Sequence, residues 1–408
     1  MALVVQKFGG TSVASIEHIE RVAKRIAGYR DRGDEVVVVV SAMGKETDRL
    51  DELAKSVGAS DADFRREVDV LLSTGEQVTA AVLSMVLTKM GYPAKSFTGG
   101  QVKILTDASH TKARILDIDT DNLRRELSQG TVPVVAGFQG VDSDQNITTL
   151  GRGGSDTTAV ALAVVLEAKE CQIYTDVEGV FTTDPRVVDV AQPLATVTFE
   201  EMLELASQGS RVLHTRAVEF ASKYKMPIRV LSSFSDAAGT LITNEESHNM
   251  EQPLISGIAF MKDEAQLMML GVKDIPGIAS RILGPISDAN IEVDMIVQNV
   301  AADKSTDFTF TVRREDYERA MAILESVAQE IGAREVAGDN KIAKLSIVGV
   351  GMKSHAGVAT KMFKVLSEES INIQMISTSE IKISVVIEEK YLELAVRALH
   401  TAFGLDAS

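Results

Sequence analysis

Three short segments of the chain combine glycine with charged or hydroxyl side chains, a combination that suits ligand binding and, in the first segment, phosphate binding. The first, Lys-Phe-Gly-Gly-Thr-Ser at positions 7–12, follows an apolar run at 3–5 and precedes a helix expected to begin near Ser15. The two glycines let the backbone approach a ligand closely, the helix start offers unpaired N–H groups, and Lys7 adds a positive charge. This pattern indicates a polyphosphate site, and a tight strand-to-helix turn with a surface lysine is the alternative.

The other two segments lie further along the chain. Positions 151–158 read Gly-Arg-Gly-Gly-Ser-Asp-Thr-Thr and precede an apolar helical run at 159–166. Ser155 or Asp156 is expected to cap this helix, while Arg152 can offer its planar guanidinium to a carboxylate or a phosphate. Positions 174–186 follow a strand-like run and are rich in hydroxyl, acidic and turn residues, as ligand-binding loops at the carboxyl ends of parallel strands are. A solvated arginine and a plain surface loop are the respective alternatives.

The elements that must position these segments are predicted by hydrophobic patterning. Between residues 2 and about 242, strand-like runs alternate with helical segments, at 3–5, 16–29, 36–40, 132–136, 159–166 and 172–175. Such alternation predicts an α/β fold with a mainly parallel sheet covered by helices. The five consecutive valines at 36–40 support this prediction, because a strand buried on both faces presents no polar side.

The C-terminal third contains an internal repeat with a shift of 80 positions. Gly277-Ile278-Ala279 aligns with Gly357-Val358-Ala359, and Met295-Ile296 aligns with Met375-Ile376. Each copy is predicted to form the ferredoxin-like βαββαβ pattern. The second copy lacks room for a closing strand, so we hypothesise that residues 254–260 cross over and supply it.

Composition excludes several classes of function. The 408 residues carry a formal net charge of −16, and no window concentrates Lys and Arg into the basic, aromatic-rich stripe that nucleic-acid binding requires, which argues against nucleic-acid partners. We expect no membrane association, because no apolar run approaches the roughly 20 residues that a spanning helix needs. The N-terminus enters an apolar strand without a targeting segment, so we predict a cytoplasmic location. The six histidines show no metal-binding spacing.

The three segments together resemble the hallmark motifs of the aspartate kinases. These motifs are Lys-Phe-Gly-Gly-Thr-Ser-Val, Gly-Arg-Gly-Gly-Ser-Asp and Tyr-Thr-Asp-Val-x-Gly-Val-x-Thr-Thr-Asp-Pro-Arg. The resemblance covers essentially the whole chain, and the repeat lies where that family carries two ACT regulatory domains. It implies an amino-acid kinase fold over residues 1–245, a linker at 246–253, and ferredoxin-like ACT domains at 254–340 and 341–408, with strand 254–260 shared.

The implied reaction is phosphoryl transfer from ATP to the side-chain carboxylate of L-aspartate, the first step toward lysine, threonine and methionine. Lys7 and Asp156 are the implied catalytic residues, with Mg²⁺ accompanying ATP and no metal held by protein alone. The implied aspartate-binding residues are Thr47, Glu76, Arg152, Gly153, Gly154 and Ser155, of which Glu76 receives the α-ammonium and Arg152 the α-carboxylate. The implied ATP-binding residues are Lys7, Gly9, Gly10, Thr175, Asp176, Phe181, Arg186, Arg211 and Val212.

The repeated loops before Gly277 and Gly357 each join a strand to a helix, whose N–H groups can hold an amino-acid carboxylate. Two turns in an oligomerisation module are the alternative. The resemblance implies effector sites for lysine, threonine or both. One consists of Asp274, Ile275, Pro276, Gly277, Ile278, Ala279, Gln298, Asn372 and Ile373. The other consists of Val293, Asp294, Met352, Ser354, His355, Val358, Ser379 and Glu380.

Two other functions stay open at this stage. One is a kinase of the same fold for glutamate or UMP, against which Thr47, Glu76, Arg152 and the ACT pair argue. The other is a catalytically silent amino-acid sensor, against which Lys7, Arg152 and Asp156 argue. The resemblance further implies a homo-oligomer formed through the ACT domains, and an internal start near Met250 would add a shorter regulatory chain.

Overall fold

The computed structural model describes residues 2–59, 62–209, 212–244, 255–300, 305–350, 352 and 357–406. The chain forms two compact units. The first comprises Met1–Phe181, Pro193–Ser207 and Arg211–Gln252, and the second comprises Thr182–Gln192, Gln208–Ser210 and Pro253–Ser408. Two short segments from within the first 245 residues therefore belong to the C-terminal unit. The predicted linker at 246–253 lies outside the described residues.

The first unit is built on an eight-stranded, mainly parallel sheet with the strand order β10-β12-β11-β9-β1-β2-β6-β3. Only the β11–β12 pair is antiparallel within this sheet. Its strands are β1 (Leu3–Phe8), β2 (Glu35–Val40), β3 (Ala94–Phe97), β6 (Val132–Ala136), β9 (Glu170–Thr175), β10 (Thr196–Thr198), β11 (Ile228–Ser232) and β12 (Thr240–Thr243). A smaller four-stranded sheet contains β4 (Ile104–Thr106), β5 (Ile115–Ile118), β7 (Gln139–Val141) and β8 (Ile147–Thr149).

Helices cover both faces of the large sheet. The helices of this unit are α1 (Ile16–Asp31), α2 (Glu46–Ser56), α3 (Arg65–Lys89), α4 (Gly99–Val102), α5 (Asp121–Ser128), α6 (Gly154–Val165), α7 (Phe199–Ser207) and α8 (Thr215–Tyr224). Ser15 caps α1 by accepting a hydrogen bond from the backbone N–H of His18. The valines at 36–40 are fully buried, as expected for a central strand covered on both faces. The predicted α/β class is confirmed.

Alternate residues of β1 face different helices. Val4 and Phe8 belong to a core cluster with Ile19, Val22 and Ile26 of α1. Because successive side chains of a strand point to opposite faces, Lys7 lies on the other face, where α6 packs against the strand. This alternation directs the charged end of β1 away from the α1 core.

Helix α3 is long and apolar enough, by length and composition alone, to cross a membrane. The sequence expectation rested on uninterrupted apolar runs and did not register this helix. Its Ala80, Leu83 and Leu87 pack into the core cluster shared with α1 and the sheet. Its buried face also carries Asp69 and Glu76, two carboxyl groups directed into the unit. These contacts are those of a core helix.

The second unit contains one antiparallel six-stranded sheet with the order β14-β15-β13-β16-β18-β17. Its strands are β13 (Gly257–Lys273), β14 (Val293–Val300), β15 (Ser305–Arg313), β16 (Glu335–Val348), β17 (Met375–Thr378) and β18 (Lys382–Glu388). Its helices are α9 (Ile278–Asp288), α10 (Tyr317–Ile331), α11 (Val358–Glu368) and α12 (Leu392–Ala402). The two repeats are thus two βαββαβ modules that share a continuous sheet.

The two longest strands join the repeats. Residues 257–260 of β13 pair with residues 345–348 of β16, and residues 266–270 pair with residues 335–339. The first half of β13 therefore lies beside the opening strand of the second repeat, whereas its second half opens the first repeat. This is the pairing that the crossover hypothesis describes for residues 257–260.

Candidate active site

The end of β1 and the start of α6 bring Lys7 and Asp156 together across 149 positions of sequence. The Lys7 Nζ lies 2.6 Å from the Asp156 Oδ1, and the two side chains are only 12% and 11% exposed. Asp156 lies in the first turn of α6, where the positive end of the helix dipole favours a carboxylate. The expected cap is wrong, because α6 begins one residue before Ser155 and its N-cap is Gly153, in the left-handed conformation at φ 71°.

Close backbone approach explains the second of the two glycines that follow β1. A Cβ atom on Gly10 would lie 3.0 Å from the carbonyl oxygens of Ala42 and Gly44, in the loop that follows β2. A Cβ atom on Gly9 would lie 3.5 Å from the Lys7 ammonium. Gly10 therefore lets the loops after β1 and β2 lie close together, whereas a Cβ on Gly9 would make only an ordinary van der Waals contact with the lysine.

Glu76 is a buried carboxylate with one unused oxygen. The backbone N–H of Ala42 donates to its Oε1 at 3.1 Å, whereas its Oε2 is buried and has no hydrogen-bond partner among the described residues. Burial is the main cause that raises the pKa of Glu76 to about 7, and the charge of Lys7 acts in the opposite direction. An unpaired buried acceptor of this kind suits a positively charged ligand group.

The other predicted aspartate-binding residues come from two helix starts. Thr47 is half-buried in the first turn of α2. Ser155 is buried, and its Oγ would lie 2.8 Å from a Cβ on Gly137. Arg152 is exposed and makes no hydrogen bond or ion pair with the residues that the structure describes. Its guanidinium is therefore available for a ligand carboxylate.

The predicted nucleotide residues divide between the two units. Thr175 is the last residue of β9 and Asp176 follows it. Strand β9 pairs with the strand that carries Lys7, and the Thr175 Oγ1 lies 3.0 Å from the Asp176 Oδ1. Phe181 and the half-buried Val212 belong to the first unit. Arg186 belongs to the second unit, and its Nη2 donates to the Asp184 Oδ2 at 2.7 Å. Arg211 lies outside the described residues.

His214 is a site residue that the sequence prediction missed. Its ring packs so closely on Gly153 that a Cβ on this glycine would lie 2.3 Å from the His214 Cγ. Burial, the largest cause, lowers the pKa of His214, and the charge of Asp156 opposes this shift. The His214 ring is therefore neutral near pH 7, and it packs against the glycine-rich loop that carries Arg152. Its position two residues after the predicted Val212 was the available signal.

A buried carboxylate, Asp69, anchors the neighbouring loop and was also missed. Its oxygens accept hydrogen bonds from the Thr149 hydroxyl at 2.5 Å and from the Thr111 backbone N–H at 3.1 Å, and the His110 Nδ1 lies 2.7 Å away. The carbonyl oxygen of Thr111 would lie 3.1 Å from a Cβ on Gly151. This network therefore holds the Thr111 backbone in place against Gly151 of the glycine-rich loop.

In the second unit, the predicted effector residues of the first repeat line a concave surface of about 360 Å³. Gly277, in the left-handed conformation at φ 88°, is the N-cap of α9 and turns the chain at this surface. Asn372 and Ile373 do not line it. The lining residues are Asp274, Ile275, Pro276, Gly277, Ile278, Ala279 and Gln298.

The second predicted effector set is less open. Met352 and Val358 are buried, Val293 is half-buried, and Asp294 forms an ion pair with the buried Lys344. Ser379 and Glu380 lie in the exposed turn between β17 and β18. Ser354 and His355 lie outside the described residues.

Glu264 interacts with the Lys344–Asp294 ion pair and has a shifted pKa. Glu264 of β13 is only 3% exposed, and burial, the largest cause, raises its pKa to about 7 although Lys344 acts in the opposite direction. The raised pKa means that the folded chain holds a proton that the unfolded chain releases above pH 4.5. The stabilising contribution of this proton is therefore present at about pH 4.5 and is lost as the pH rises through 7.

We therefore expect Glu264→Gln to increase stability relative to wild type as the pH rises from 5 to 8. The difference should be near zero at pH 5 and on the order of 1–2 kcal/mol at pH 8. Melting temperatures of the full chain at both pH values check this, with the exposed Glu325→Gln on α10 as the control. An advantage that does not grow with pH would show that Glu264 is ionised throughout.

The fold and the site define an amino-acid kinase with an appended regulatory unit. The chain matches the amino acid kinase family over residues 2–232 and the ACT domain over residues 267–329 and 345–403. An aspartate kinase from Pseudomonas fluorescens (strain SBW25) is 68% identical over 407 residues, covering 100% of this chain and 98% of that protein. The chain therefore belongs to the aspartate kinases, which are phosphotransferases.

Solved structures agree with this assignment. E. coli aspartokinase III in complex with aspartate and ADP is 26% identical, with a TM-score of 0.80 over 98% of this chain and 99% of that chain. The same enzyme in complex with lysine and aspartate gives a TM-score of 0.75 at 26% identity and the same coverage. The predicted family, the predicted fold and the predicted kinase activity are all confirmed.

Proposed function

We propose that this enzyme transfers the γ-phosphoryl group of ATP to the side-chain carboxylate of L-aspartate and is inhibited by lysine, threonine or both. The observation that carries the substrate assignment is the buried Glu76 Oε2, which has no hydrogen-bond partner among the described residues. An α-ammonium group is a ligand that would satisfy it. Arg152, exposed and without an ion pair in the described chain, complements an α-carboxylate in the same way.

The chemistry of the acceptor explains why the site needs no general base. An aspartate side chain has a pKa of about 3.9, so it is an ionised nucleophile at neutral pH. The barrier lies in bringing this anion against a triphosphate. Lys7 and the N-terminus of α6 provide fixed positive potential where the phosphoryl group passes, as phosphotransferases require. The ion pair with Asp156 fixes the Lys7 ammonium at the end of β1.

The metal is proposed to arrive with the nucleotide. Among the residues that the structure describes, no group of three or more His, Cys, Asp or Glu side chains could hold a metal ion. Asp156 offers one carboxylate beside Lys7, which fits Mg²⁺ because this ion commonly uses one or two carboxylates together with substrate phosphates. When bound, Mg²⁺ would neutralise phosphate charge. The proposed ATP contacts are Gly9, Gly10, Thr175, Asp176, Phe181, Arg186, Arg211 and Val212.

Regulation is proposed to occur in the second unit. The concave surface before α9 combines backbone N–H groups with the Asp274 carboxylate and the Gln298 amide, which suits a free amino acid. The lysine complex of E. coli aspartokinase III supports an amino-acid effector. We further propose a cytoplasmic enzyme on the route to lysine, threonine and methionine, assembled as a homo-oligomer through the ACT domains. We also propose a shorter regulatory chain that starts near Met250, a residue outside the described part of the structure.

Acyl-phosphate formation trapped as the hydroxamate tests the proposal. L-aspartate and L-glutamate are compared as acceptors in this assay, and UMP, which gives no acyl phosphate, is compared by the release of ADP, each with and without lysine plus threonine. We expect strong activity with aspartate that falls when both effectors are present. Activity with another acceptor would reassign the substrate, and no turnover with any acceptor would favour the sensor. Activity with aspartate that is unchanged by lysine plus threonine would contradict only the regulatory part of the proposal.

A further inference from the structure

The first unit carries a basic groove that the transfer reaction does not use. This groove, of about 520 Å³, lies between α1 and the segment 233–236 that follows β11. Four of its lining residues are cationic: Arg21, Lys24 and Arg25 of α1, and Arg32, the C-cap of this helix. The only acidic lining residue is Asp236, whose side chain is 97% exposed. A positive concave surface is notable on a chain whose formal net charge is −16.

Much of this positive charge is uncompensated. The Arg25 Nη2 donates to the Ser235 carbonyl oxygen at 3.1 Å and to the Asp236 Oδ1 at 3.2 Å, and the Arg32 Nε lies 3.9 Å from Asp34. Such exposed pairs contribute little. Lys24 makes no hydrogen bond or ion pair with the described part of the chain. The groove therefore holds more cations than its own carboxylates can neutralise.

The guanidinium groups are held in place by aromatic rings. The Arg32 guanidinium carbon lies 4.3 Å from the ring centre of Tyr29, that of Arg25 lies 5.2 Å from Tyr174, and that of Arg21 lies 5.9 Å from Phe234. Ordering these side chains in advance reduces the entropy lost when a ligand binds. On a helix face fully exposed to solvent, the same residues would have no opposing segment of chain and no aromatic rings to pack against.

One buried polar atom in the groove also lacks a partner. The hydroxyl oxygen of Ser235, a lining residue, is buried and makes no hydrogen bond within the described residues. Buried hydroxyl groups are normally satisfied by protein, water or ligand. Gly28, in the middle of the α1 face, adds no side chain, and the nearest atom to a Cβ placed there would be the Arg32 Nη1 at 3.9 Å. The centre of the groove is therefore open.

The groove is separate from the transfer site. Tyr174, over which Arg25 lies, belongs to the core cluster on the α1 face, whereas Lys7 pairs with α6 on the opposite face of the sheet. The two regions approach each other only at the strand ends. There the Ser233 hydroxyl donates to the Ser12 hydroxyl at 2.6 Å, and the Ser233 backbone N–H donates to the Thr175 carbonyl at 2.8 Å.

We propose that this groove binds a small ligand with clustered phosphate groups. Its volume lies within the range of small-molecule pockets. Three arginines with planar donor forks match phosphate oxygens, and Lys24 adds a mobile point charge. A tricarboxylate such as citrate carries less charge and fewer anionic oxygens than a tripolyphosphate and would occupy fewer of these donors.

Calorimetric titration of the full chain with inorganic tripolyphosphate tests the proposal at about 150 mM salt. We expect saturable binding that persists in the Lys7→Ala chain, because the groove lies on the other face. The double variant Arg21→Ala/Lys24→Ala should weaken this binding at least tenfold. The control Lys89→Ala/Arg125→Ala removes the same two residue types from exposed positions and should leave it unchanged. Citrate should bind at least tenfold more weakly than tripolyphosphate.

Four results would overturn the proposal. These are no saturable binding to wild type, complete loss of binding in the Lys7→Ala chain, equal affinity in the groove variant and wild type, and citrate binding as tight as tripolyphosphate. Melting temperatures of the groove and control variants are measured in parallel. If the groove variant is unfolded, the single variant Lys24→Gln replaces it, because Lys24 makes no hydrogen bond or ion pair within the described residues that its loss would break.

Discussion

Replacing Lys7 with alanine is expected to reduce turnover by roughly 10²–10³-fold while the KM for aspartate stays within about threefold of wild type. The reason is that the Lys7 ammonium, 2.6 Å from the Asp156 Oδ1, supplies positive charge at the transferring phosphoryl group rather than at the amino acid. The KM for ATP should rise. Steady-state kinetics of hydroxamate formation with each substrate varied in turn provide the measurement.

Two controls keep this result interpretable. Lys89→Ala removes the same charge from an exposed position on α3 and should leave turnover unchanged. Melting temperatures detect the destabilisation that an unpaired Asp156, only 11% exposed, would cause in the variant. Unchanged turnover in a folded Lys7→Ala enzyme would remove this lysine from the transfer step.

Glu76→Gln is expected to raise the KM for aspartate by roughly 10- to 100-fold, with a smaller change in turnover and an unchanged KM for ATP. The reason is that glutamine keeps the shape and the hydrogen bond from Ala42 but loses the charge that would meet an ammonium group. Hydrogen bonds to charged groups contribute about 1.5–3 kcal/mol. Glu67→Gln, an exposed position on the same helix, is the matched control.

The pH profile separates this role from a purely structural one. Because the pKa of Glu76 is raised to about 7 in the free enzyme, its ionised form is lost as the pH falls through 7. The kcat/KM for aspartate should therefore rise with pH to a plateau above about 7 in wild type, and this step should vanish in Glu76→Gln. A variant that keeps both the wild-type KM and the pH step would show that another group receives the ammonium.

The two substitutions test different halves of the site. Lys7 is expected to act on the transfer step, and Glu76 is expected to act on capture of the amino acid. Both residues belong to the first unit. The Ala42 backbone N–H donates to Glu76, and in the same loop the Gly44 backbone N–H donates to the Gly10 carbonyl oxygen at 3.0 Å, close to the end of β1. If both substitutions lowered turnover to a similar extent, this would argue that the two residues are structurally coupled through this loop.

Much of the fold could be predicted because its cues are local. Alternating strand and helix patterns predicted the covered parallel sheet and a helix start near Ser15, the residue that caps α1 in the structure. The 80-residue repeat predicted two βαββαβ modules, which lie in one sheet. Helix α6 was predicted correctly, but its cap was not. Gly153 adopts the left-handed conformation under the His214 ring, a contact between residues 61 positions apart.

What the sequence by itself determined is the set of glycine-rich loops, their charged residues and the order of the elements. These follow from backbone preferences and side-chain periodicity within a few residues. The tertiary structure alone decided which groups meet: Lys7 with Asp156, Glu76 with Ala42, His214 with Gly153, and α1 with the segment after β11. Strand order and crossovers set those distances, and burial then fixes charge states such as the raised pKa of Glu76, because desolvation depends on every element packed around a group.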